Sequence, residues 1–375
     1  MSTDILFQPF SVGSLTLANR IVMAPMTRQR SPGEVPGADV AQYYARRATG
    51  GAGLIISEGT TIGHPAAANA MNVPNFHSDA ALAGWKNVID AVHAAGGKMF
   101  PQLWHTGLFR DPATSPNKEA PSIGPSAVKL RGEMSVVAMS KADIDAMVGI
   151  YAAAAAAARR LGFDGIELHA GHGFLIDEFF WAHTNKRDDA YGGSLANRAR
   201  FAAEIVSACR AATAKDFPIS LRFSQWKVGN YDAKLVDTPQ ELEALLAPVV
   251  SAGVSLFHSS ARRFWESAFA GSDLTLSGWT KKVTGKPVIS VGSVGLGGDY
   301  EPPMTATKIV PVGSLENLAR IAERGEFDSI AVGRAMIVDP DWTRKVHEGR
   351  FSELHAYDPA YQRDVYFYTT SRTCF

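Results

Sequence analysis

Short apolar runs rich in β-branched residues alternate along the chain with longer segments of helical period. Eight such runs are present. This alternation is typical of βα units that build a parallel sheet, and eight units predict a (β/α)8 TIM barrel of the α/β class. The runs are IVMAP from Ile21, GLIISEG from Gly53, KMFPQLW from Lys98, DGIELH from Asp164, PISLRF from Pro218, VSLFHSS from Val254, KPVISVG from Lys286 and DSIAVGR from Asp328.

Helix boundaries between these runs carry start and stop signals. Residues 140–143 have the spacing of a capping box, and the Thr-Pro pair at 238–239 places proline at a first helical position. Another helix is expected to open at Asp79 and to close at Gly96. These signals lie between the predicted strands, where a (β/α)8 barrel has its helices.

Two segments lie outside the regular alternation. Residues 7–20, FQPFSVGSLTLANR, predict a hairpin that acts as a lid on the bottom of the barrel. The connection after the third strand, 105–139, is long and rich in Pro, Ser and Gly, which is typical of a functional loop. No linker interrupts the pattern, so residues 1–375 are expected to form a single domain.

Charge and cysteine content limit the partners. Lys+Arg and Asp+Glu balance at 37 each, with no long run of one sign, which argues against nucleic acid and favours a small-molecule substrate. The two cysteines, Cys209 and Cys374, form neither a disulfide framework nor a metal cluster.

No signal peptide or membrane-spanning run is recognisable, so a cytoplasmic location is expected. The aromatic tail 366–375 is expected to pack on the barrel or on a neighbouring subunit, which leaves a homo-oligomer open.

Polar side chains gather where the predicted strands end. Active sites of TIM barrels lie at the C-terminal ends of the strands, so these side chains are expected to converge on one rim. They are Thr27 and Arg28 after the first strand, Gln102, Trp104 and His105 at the third, His169 and His172 at the fourth, Arg222 at the fifth and Arg334 at the eighth.

The loops after the seventh and eighth strands have the composition of a phosphate site. Gly292 and Gly333 would let backbone N–H groups approach an anion, and Arg334 can make bidentate contacts to it. The alternative is that these glycines only permit tight turns. Because two such loops occur at the positions where barrels bind phosphate, we favour a phosphate site.

Three further strand-end residues suit an isoalloxazine ring. A cation at Arg222 would stabilise an anionic reduced flavin, Gln102 can donate to and accept from the pyrimidine edge, and Thr27 can donate to the C4 carbonyl. A structural salt bridge is the alternative for Arg222.

His169 and His172 allow three interpretations. Their spacing would suit two metal ligands, but neither a third His nor a nearby Cys or carboxylate cluster completes a metal site. They could be core histidines, or a pair of hydrogen-bond donors that polarise a carbonyl or nitro oxygen. We favour the donor pair and expect no metal.

Five motifs together are similar to the old yellow enzyme family. They are APMTR at 24–28, QLWHTG at 102–107, HAGHGFL at 169–175, NKRDDAYGGSLANRARF at 185–201 and VGRAMIVDPD at 332–341, and they occur in the family's order over nearly the whole chain.

This resemblance implies a non-covalent FMN and a ping-pong reaction. NAD(P)H would reduce the flavin, and an α,β-unsaturated carbonyl or nitro compound, held by His169 and His172, would then take the hydride. The implied flavin contacts are Pro25, Thr27, Gly59, Gln102 and Arg222, the implied phosphate contacts are Gly292, Ser293, Gly333 and Arg334, and the expected substrate pocket contains Trp104, Phe174, Phe264 and Trp265.

Phe174 departs from the family pattern. The family usually has tyrosine there, which gives a proton to the substrate, and phenylalanine cannot. Two alternatives therefore stay open: oxidation of a small substrate of the dehydrogenase or demethylase type, and a flavin-binding protein with little turnover. The family's iron–sulfur branch is excluded, because two cysteines cannot hold a cluster.

Overall fold

The computed structural model describes residues 4–130, 134–296 and 313–356. Eight parallel strands form a closed barrel, as the alternation predicts. Going round the barrel, each strand is paired with the next: β3 (Ile21–Met23), β4 (Leu54–Thr61), β5 (Met99–Trp104), β9 (Ile166–His169), β10 (Ile219–Ser224), β11 (Leu256–Ser260), β12 (Val288–Val291) and β13 (Ser329–Val332).

Helices cover the outside of the barrel. The predicted capping box is confirmed at Ser140, whose side chain accepts from the backbone of Asp143, and a second one forms at Thr238. The helices are α1 (Ala38–Thr49), α2 (Asp79–Ala94), α3 (Lys141–Leu161), α4 (Leu175–Phe180), α5 (Leu195–Ala212), α6 (Pro239–Ser251), α7 (Leu276–Thr284), α8 (Gly313–Glu323), α9 (Arg334–Val338) and α10 (Trp342–His347).

The N-terminal hairpin closes the lower end of the barrel. Strands β1 (Phe10–Val12) and β2 (Leu15–Leu17) pair antiparallel. The turn is anchored by Ser14, whose N–H donates to the Asp216 carbonyl at 3.1 Å, just before β10 begins. The hairpin's apolar side chains join a buried cluster with residues of the barrel strands, among them Val22, Leu54, Ile56, Phe100 and Ile289. Solvent access is therefore left to the opposite, C-terminal end of the strands.

The long connection after β5 has secondary structure that its composition did not predict. It contains a small sheet in which β8 (Met134–Ala138) pairs parallel with β6 (Ser122–Gly124) and antiparallel with β7 (Val128–Leu130). Arg187 fastens this sheet to the barrel, because its Nη1 donates to the carbonyls of Pro125 and Met139 at 2.9 and 2.6 Å. The connection is thus a folded cover beside the mouth of the barrel.

Some residues that the sequence analysis singles out lie away from the barrel mouth or outside the described residues. The aromatic tail 366–375, Cys374, and the two glycines at 297 and 298, which end the glycine-rich loop after the seventh predicted strand, lie outside the described residues. Cys209 is buried on α5, and burial raises the pKa of its thiol to about 12, which leaves it in the unreactive thiol form. Within the described ranges, none of the helices has the length and apolar content needed to cross a membrane.

Candidate active site

A cavity of about 280 Å³ opens at the C-terminal ends of the barrel strands. This is the end that barrel enzymes use, and the opposite end is closed by the hairpin. The lining residues that the sequence predicts are Pro25, Thr27, Gln102, Trp104, His169, His172, Phe174, Arg222, Gly292, Ser293, Gly333 and Arg334.

The floor of the cavity rests on a buried hydrogen-bonded network. Glu167 on β9 accepts from Gln102 Nε2 at 2.9 Å, from Ser220 Oγ at 3.1 Å and from His258 Nδ1 at 2.7 Å. Burial by itself would raise the pKa of Glu167, but His258 and the charge of Arg222 hold it below the usual value. The carboxylate therefore stays ionised and fixes the Gln102 amide, with its nitrogen turned towards the network.

The two predicted histidines lie side by side on the cavity wall. Their ring centroids are 5.1 Å apart, with the planes nearly perpendicular. His172 has a left-handed backbone (φ 65°), which is uncommon outside glycine and turns the chain sharply here. Its Nε2 is 2.8 Å from Ser260 Oγ, and its ring stacks on Trp226 at 4.2 Å.

Both histidines are neutral at physiological pH. Burial lowers the pKa of each ring well below 6.5, and the positive charge of Arg222 lowers it further. A neutral imidazole still carries one N–H donor. The pair can therefore polarise an oxygen atom by hydrogen bonding, without acting as cationic acids.

This burial predicts that the fold is less stable in mild acid. His105, His169 and His172 all have pKa values well below the unfolded value, mainly because of burial. Below pH 6.5 the unfolded chain binds their protons and the folded chain does not, so stability present above pH 6.5 is lost as the pH falls. Each contributes up to about 1.4 kcal/mol per pH unit. The urea midpoint is expected to be lower at pH 5.5 than at pH 7.5.

Two buried carboxyl groups work against this trend. Burial raises the pKa of Glu178 well above its usual value and also raises that of Asp177, so the folded state takes up protons at these groups more readily and gains stability there as the pH falls. These two groups are opposed by the three histidines, and the net effect is still a loss of stability in acid. A urea midpoint that is equal or higher at pH 5.5 would show that the three rings are not held neutral.

A second wall is aromatic and apolar. Phe174 is 3% exposed and meets the Trp104 and His169 rings edge-on, with centroids 4.9 and 4.8 Å away. Phe109 from the long connection packs on it at 5.3 Å. Position 174 is therefore beside the histidine pair, at the place where the resemblance implies an acid, but it presents only carbon.

The wall at the ends of β12 and β13 is made of backbone and small side chains. A Cβ on Gly292 would lie 2.6 Å from the Ala261 carbonyl, so only glycine fits there. Ser293 adopts a left-handed backbone (φ 55°) and donates from Oγ to the Arg262 carbonyl at 3.0 Å. Gly333 and Arg334 line the same cavity. The two loops predicted to bind phosphate are thus brought together.

Three residues of the expected flavin and substrate sites, Gly59, Phe264 and Trp265, do not line the cavity. Gly59 lies on β4 opposite Gln102, and a Cβ there would come within 2.6 Å of the Trp104 ring. Phe264 is 1% exposed in the main hydrophobic core, and Trp265 packs against that core. Gly59 therefore makes room for Trp104, while the two aromatic residues do not line the cavity. Phe264 and Trp265 pack on the core because the loop that carries them folds back over the end of β12. There the Phe264 N–H donates to the Gly292 carbonyl at 3.2 Å.

A buried ion pair lies behind the histidine loop. Lys227 Nζ is 2.7 Å from Asp177, and both side chains are fully buried. Asp177 also accepts from the Gly173 N–H at 2.6 Å, while the Val228 N–H donates to the His172 carbonyl at 3.0 Å. The pair therefore connects the loop that carries His172 to the loop that follows β10.

Comparison with known proteins agrees with this geometry. A family model described as NADH:flavin oxidoreductase / NADH oxidase matches residues 5–353. The chain belongs to this family. An NADH oxidase from Thermoanaerobacter brockii is 34% identical over 361 residues, which cover 93% of this chain and 52% of the oxidase. The chain thus spans about half the length of that relative.

Solved structures of family members have the same fold. Morphinone reductase in complex with tetrahydroNAD is 30% identical, with a TM-score of 0.78 over 95% of this chain and 93% of the reductase. An old yellow enzyme homologue from Zymomonas mobilis is 29% identical, with a TM-score of 0.76 over 94% of each chain. The predicted membership of the old yellow enzyme family and the predicted barrel are confirmed.

Sequence reasoning missed several residues of this family member's cavity. Trp226, Tyr231, Ser260 and Arg262 all line it. Ser260 ends β11, and the others lie in loops that follow β10 and β11. The signal was available, since Trp226 and Tyr231 are aromatic residues in a strand-end loop of the barrel. Arg28, which the strand-end pattern places on the rim, does not line the cavity, because its guanidinium pairs with the buried carboxylate of Glu58 at 2.8 Å.

Proposed function

We propose that this chain is an FMN-dependent oxidoreductase that passes hydride from NAD(P)H to an alkene activated by a carbonyl or nitro group. The observation that carries the proposal is the pair of neutral histidines beside Arg222 and Gln102 in one cavity at the barrel mouth. A pair of hydrogen-bond donors alone would suit many polar ligands. The histidine pair together with the cation of Arg222 suits a flavin with a substrate oxygen bound beside it.

The lining residues fit FMN in their chemistry. Gln102 gives its Nε2 to Glu167, which leaves its amide oxygen to accept from the imide N–H of the ring. Arg222 would stabilise negative charge on the pyrimidine side, and Thr27 would donate to the C4 carbonyl. The phosphate would be held by Gly292, Ser293, Gly333 and Arg334. When bound, FMN would accept hydride from NAD(P)H and deliver it to the second substrate.

The histidines would bind and polarise the substrate oxygen. The Gly171 N–H points to His169 Nδ1 at 3.4 Å, which favours the proton on Nε2 as the free donor. Ser260 Oγ accepts from Arg222 at 3.4 Å and can give its own hydrogen to His172 Nε2, so that the second ring proton lies on Nδ1. Two N–H groups then stabilise the charge that develops on the oxygen as hydride reaches the β-carbon.

Oxidation of a small substrate is a second candidate, and Phe174 is the observation that favours it. Removal of a hydride from a substrate does not need a positioned acid beside His169, and Phe174 presents only an apolar ring there. This reading predicts flavin bleaching by a reduced substrate rather than by NAD(P)H.

Anaerobic stopped-flow absorbance separates these candidates. The yellow holoenzyme is expected to bleach with NADH or NADPH and then to regain its colour with 2-cyclohexenone, maleimide or a nitroalkene. Bleaching without return of colour on any of these acceptors would reject the alkene-reductase proposal. Absence of bleaching by both nucleotides would favour the oxidative candidate or a protein with little turnover.

A further inference from the structure

The apolar ring at position 174 leaves the proposed reaction without its expected acid. Saturating a C=C bond takes a hydride at one carbon and a proton at the other. Phe174 packs against Trp104, Phe109 and His169 and has no proton to give. The donor must therefore be sought elsewhere on the cavity wall.

Resting on the function proposed above, we infer that Tyr231 supplies this proton and is a catalytic residue of the chain. Tyr231 lines the cavity. A continuous series of ring contacts links it to the histidine pair: His169 to His172 at 5.1 Å, His172 to Trp226 at 4.2 Å and Trp226 to Tyr231 at 5.7 Å. The phenol is thus connected to His172 through the Trp226 ring.

The other protic groups of the cavity wall are poor acids. His169 and His172 are neutral, because burial lowers their pKa, and a neutral imidazole does not release its remaining proton. Arginine side chains do not deprotonate in proteins. The hydroxyls of Thr27, Ser260 and Ser293 are aliphatic and much less acidic than a phenol. Among the described residues that line the cavity, Tyr231 is the phenol.

The Arg262 side chain holds the Tyr231 ring in place. The Arg262 guanidinium carbon is 3.8 Å from the centroid of the Tyr231 ring and 5.7 Å from that of Trp226. A cation over the face of an aromatic ring attracts it and so helps to fix its position. Tyr231 is half-buried, so solvent can reach it.

The loop that carries Tyr231 is fixed to the histidine loop. The Val228 N–H donates to the His172 carbonyl at 3.0 Å, and the Lys227 N–H donates to the Asn230 carbonyl at 3.0 Å. The buried ion pair of Lys227 with Asp177 holds the same turn from below. Tyr231 and His172 therefore keep a defined relative position, which proton transfer requires.

The step balances with the groups named. The C=C π bond breaks, the hydride from the reduced cofactor forms a C–H bond at the β-carbon, and the Tyr231 O–H proton forms one at the α-carbon. The phenolate then takes a proton from water. The oxygen held by His169 and His172 returns to its carbonyl or nitro form.

The test is the Tyr231→Phe variant, which keeps the ring under Arg262 and removes only the hydroxyl. Its holoenzyme is expected to bleach with NAD(P)H at the parental rate but to be reoxidised by 2-cyclohexenone about 100-fold more slowly. Reoxidation by benzoquinone is expected to be unchanged, because the protons of a hydroquinone go to oxygen and exchange directly with water. A second substitution, Phe174→Tyr in the same variant, is expected to restore most of the rate with 2-cyclohexenone.

Each other outcome has a distinct meaning. A parental rate with 2-cyclohexenone in Tyr231→Phe would overturn the assignment and leave water as the donor. Equal slowing with 2-cyclohexenone and benzoquinone would also overturn it, since the hydroxyl would then act in binding. A parent enzyme that is not bleached by NAD(P)H, or that is reoxidised by none of 2-cyclohexenone, maleimide and a nitroalkene, would instead reject the proposed function itself.

Discussion

Replacing His169 with alanine is expected to slow reoxidation of the reduced enzyme by 2-cyclohexenone by about 100- to 1000-fold. Under the proposed function, the change removes one of two N–H donors from a substrate oxygen that becomes negatively charged during hydride transfer, and the loss of one such donor has effects of about this size. His169 is 5% exposed and neutral, so its contribution is a hydrogen bond in a dry site rather than a charge. Single-turnover stopped-flow at saturating acceptor measures this step directly.

Two further variants separate hydrogen bonding from packing. His169→Asn keeps a side-chain N–H donor and is expected to recover part of the lost rate. His93→Ala removes an imidazole that pairs with Asp164, before β9 begins and thus at the other end of that strand, and it is expected to leave the rate unchanged. A His169→Ala enzyme with the parental rate would refute the donor role of this residue.

Replacing Lys227 with methionine is expected to lower the free energy of unfolding by about 3–5 kcal/mol, because it leaves the Asp177 carboxylate buried without its counter-ion. Lys227 and Asp177 are both fully buried and lie 2.7 Å apart. Burial raises the pKa of Asp177 and lowers that of Lys227, so each group depends on the other to stay charged. Urea unfolding at a fixed FMN concentration measures the change.

Matched variants identify the cause of that loss. The double variant Asp177→Asn with Lys227→Met removes both charges and is expected to recover most of the stability. Lys86→Met breaks an exposed pair with Asp90 on α2 and is expected to change stability by less than about 1 kcal/mol. A loss in Lys227→Met no larger than that in Lys86→Met would contradict the account of the buried pair.

Local sequence signals predicted the frame of the molecule well. Period and cap signals are set by neighbours in the chain, so the eight strands, the Ser140 cap and the N-terminal hairpin could all be read before the structure. The convergence of His169, Arg222 and Arg334 on one rim followed from barrel topology, because parallel strands end at the same edge.

Contacts between distant segments could not be predicted in the same way. The pairs Glu167 with His258 and Asp177 with Lys227 join residues 91 and 50 positions apart, and nothing in the local pattern marks them as partners. Phe264 shows that a position after a strand can mislead. That position predicts a pocket residue, but the loop turns the Phe264 ring into the core. Such outcomes depend on how loops pack rather than on where strands end.

The most direct test of the central claim is product analysis after one anaerobic turnover. Holoenzyme reduced with one equivalent of NADH or NADPH is mixed with excess 2-cyclohexenone, and cyclohexanone is measured by gas chromatography against bound FMN. We predict about one molecule of cyclohexanone per flavin, formed at the rate at which the yellow colour returns. Return of the colour without cyclohexanone, or no return until air is admitted, would contradict the proposal that the His169–His172 site reduces activated alkenes.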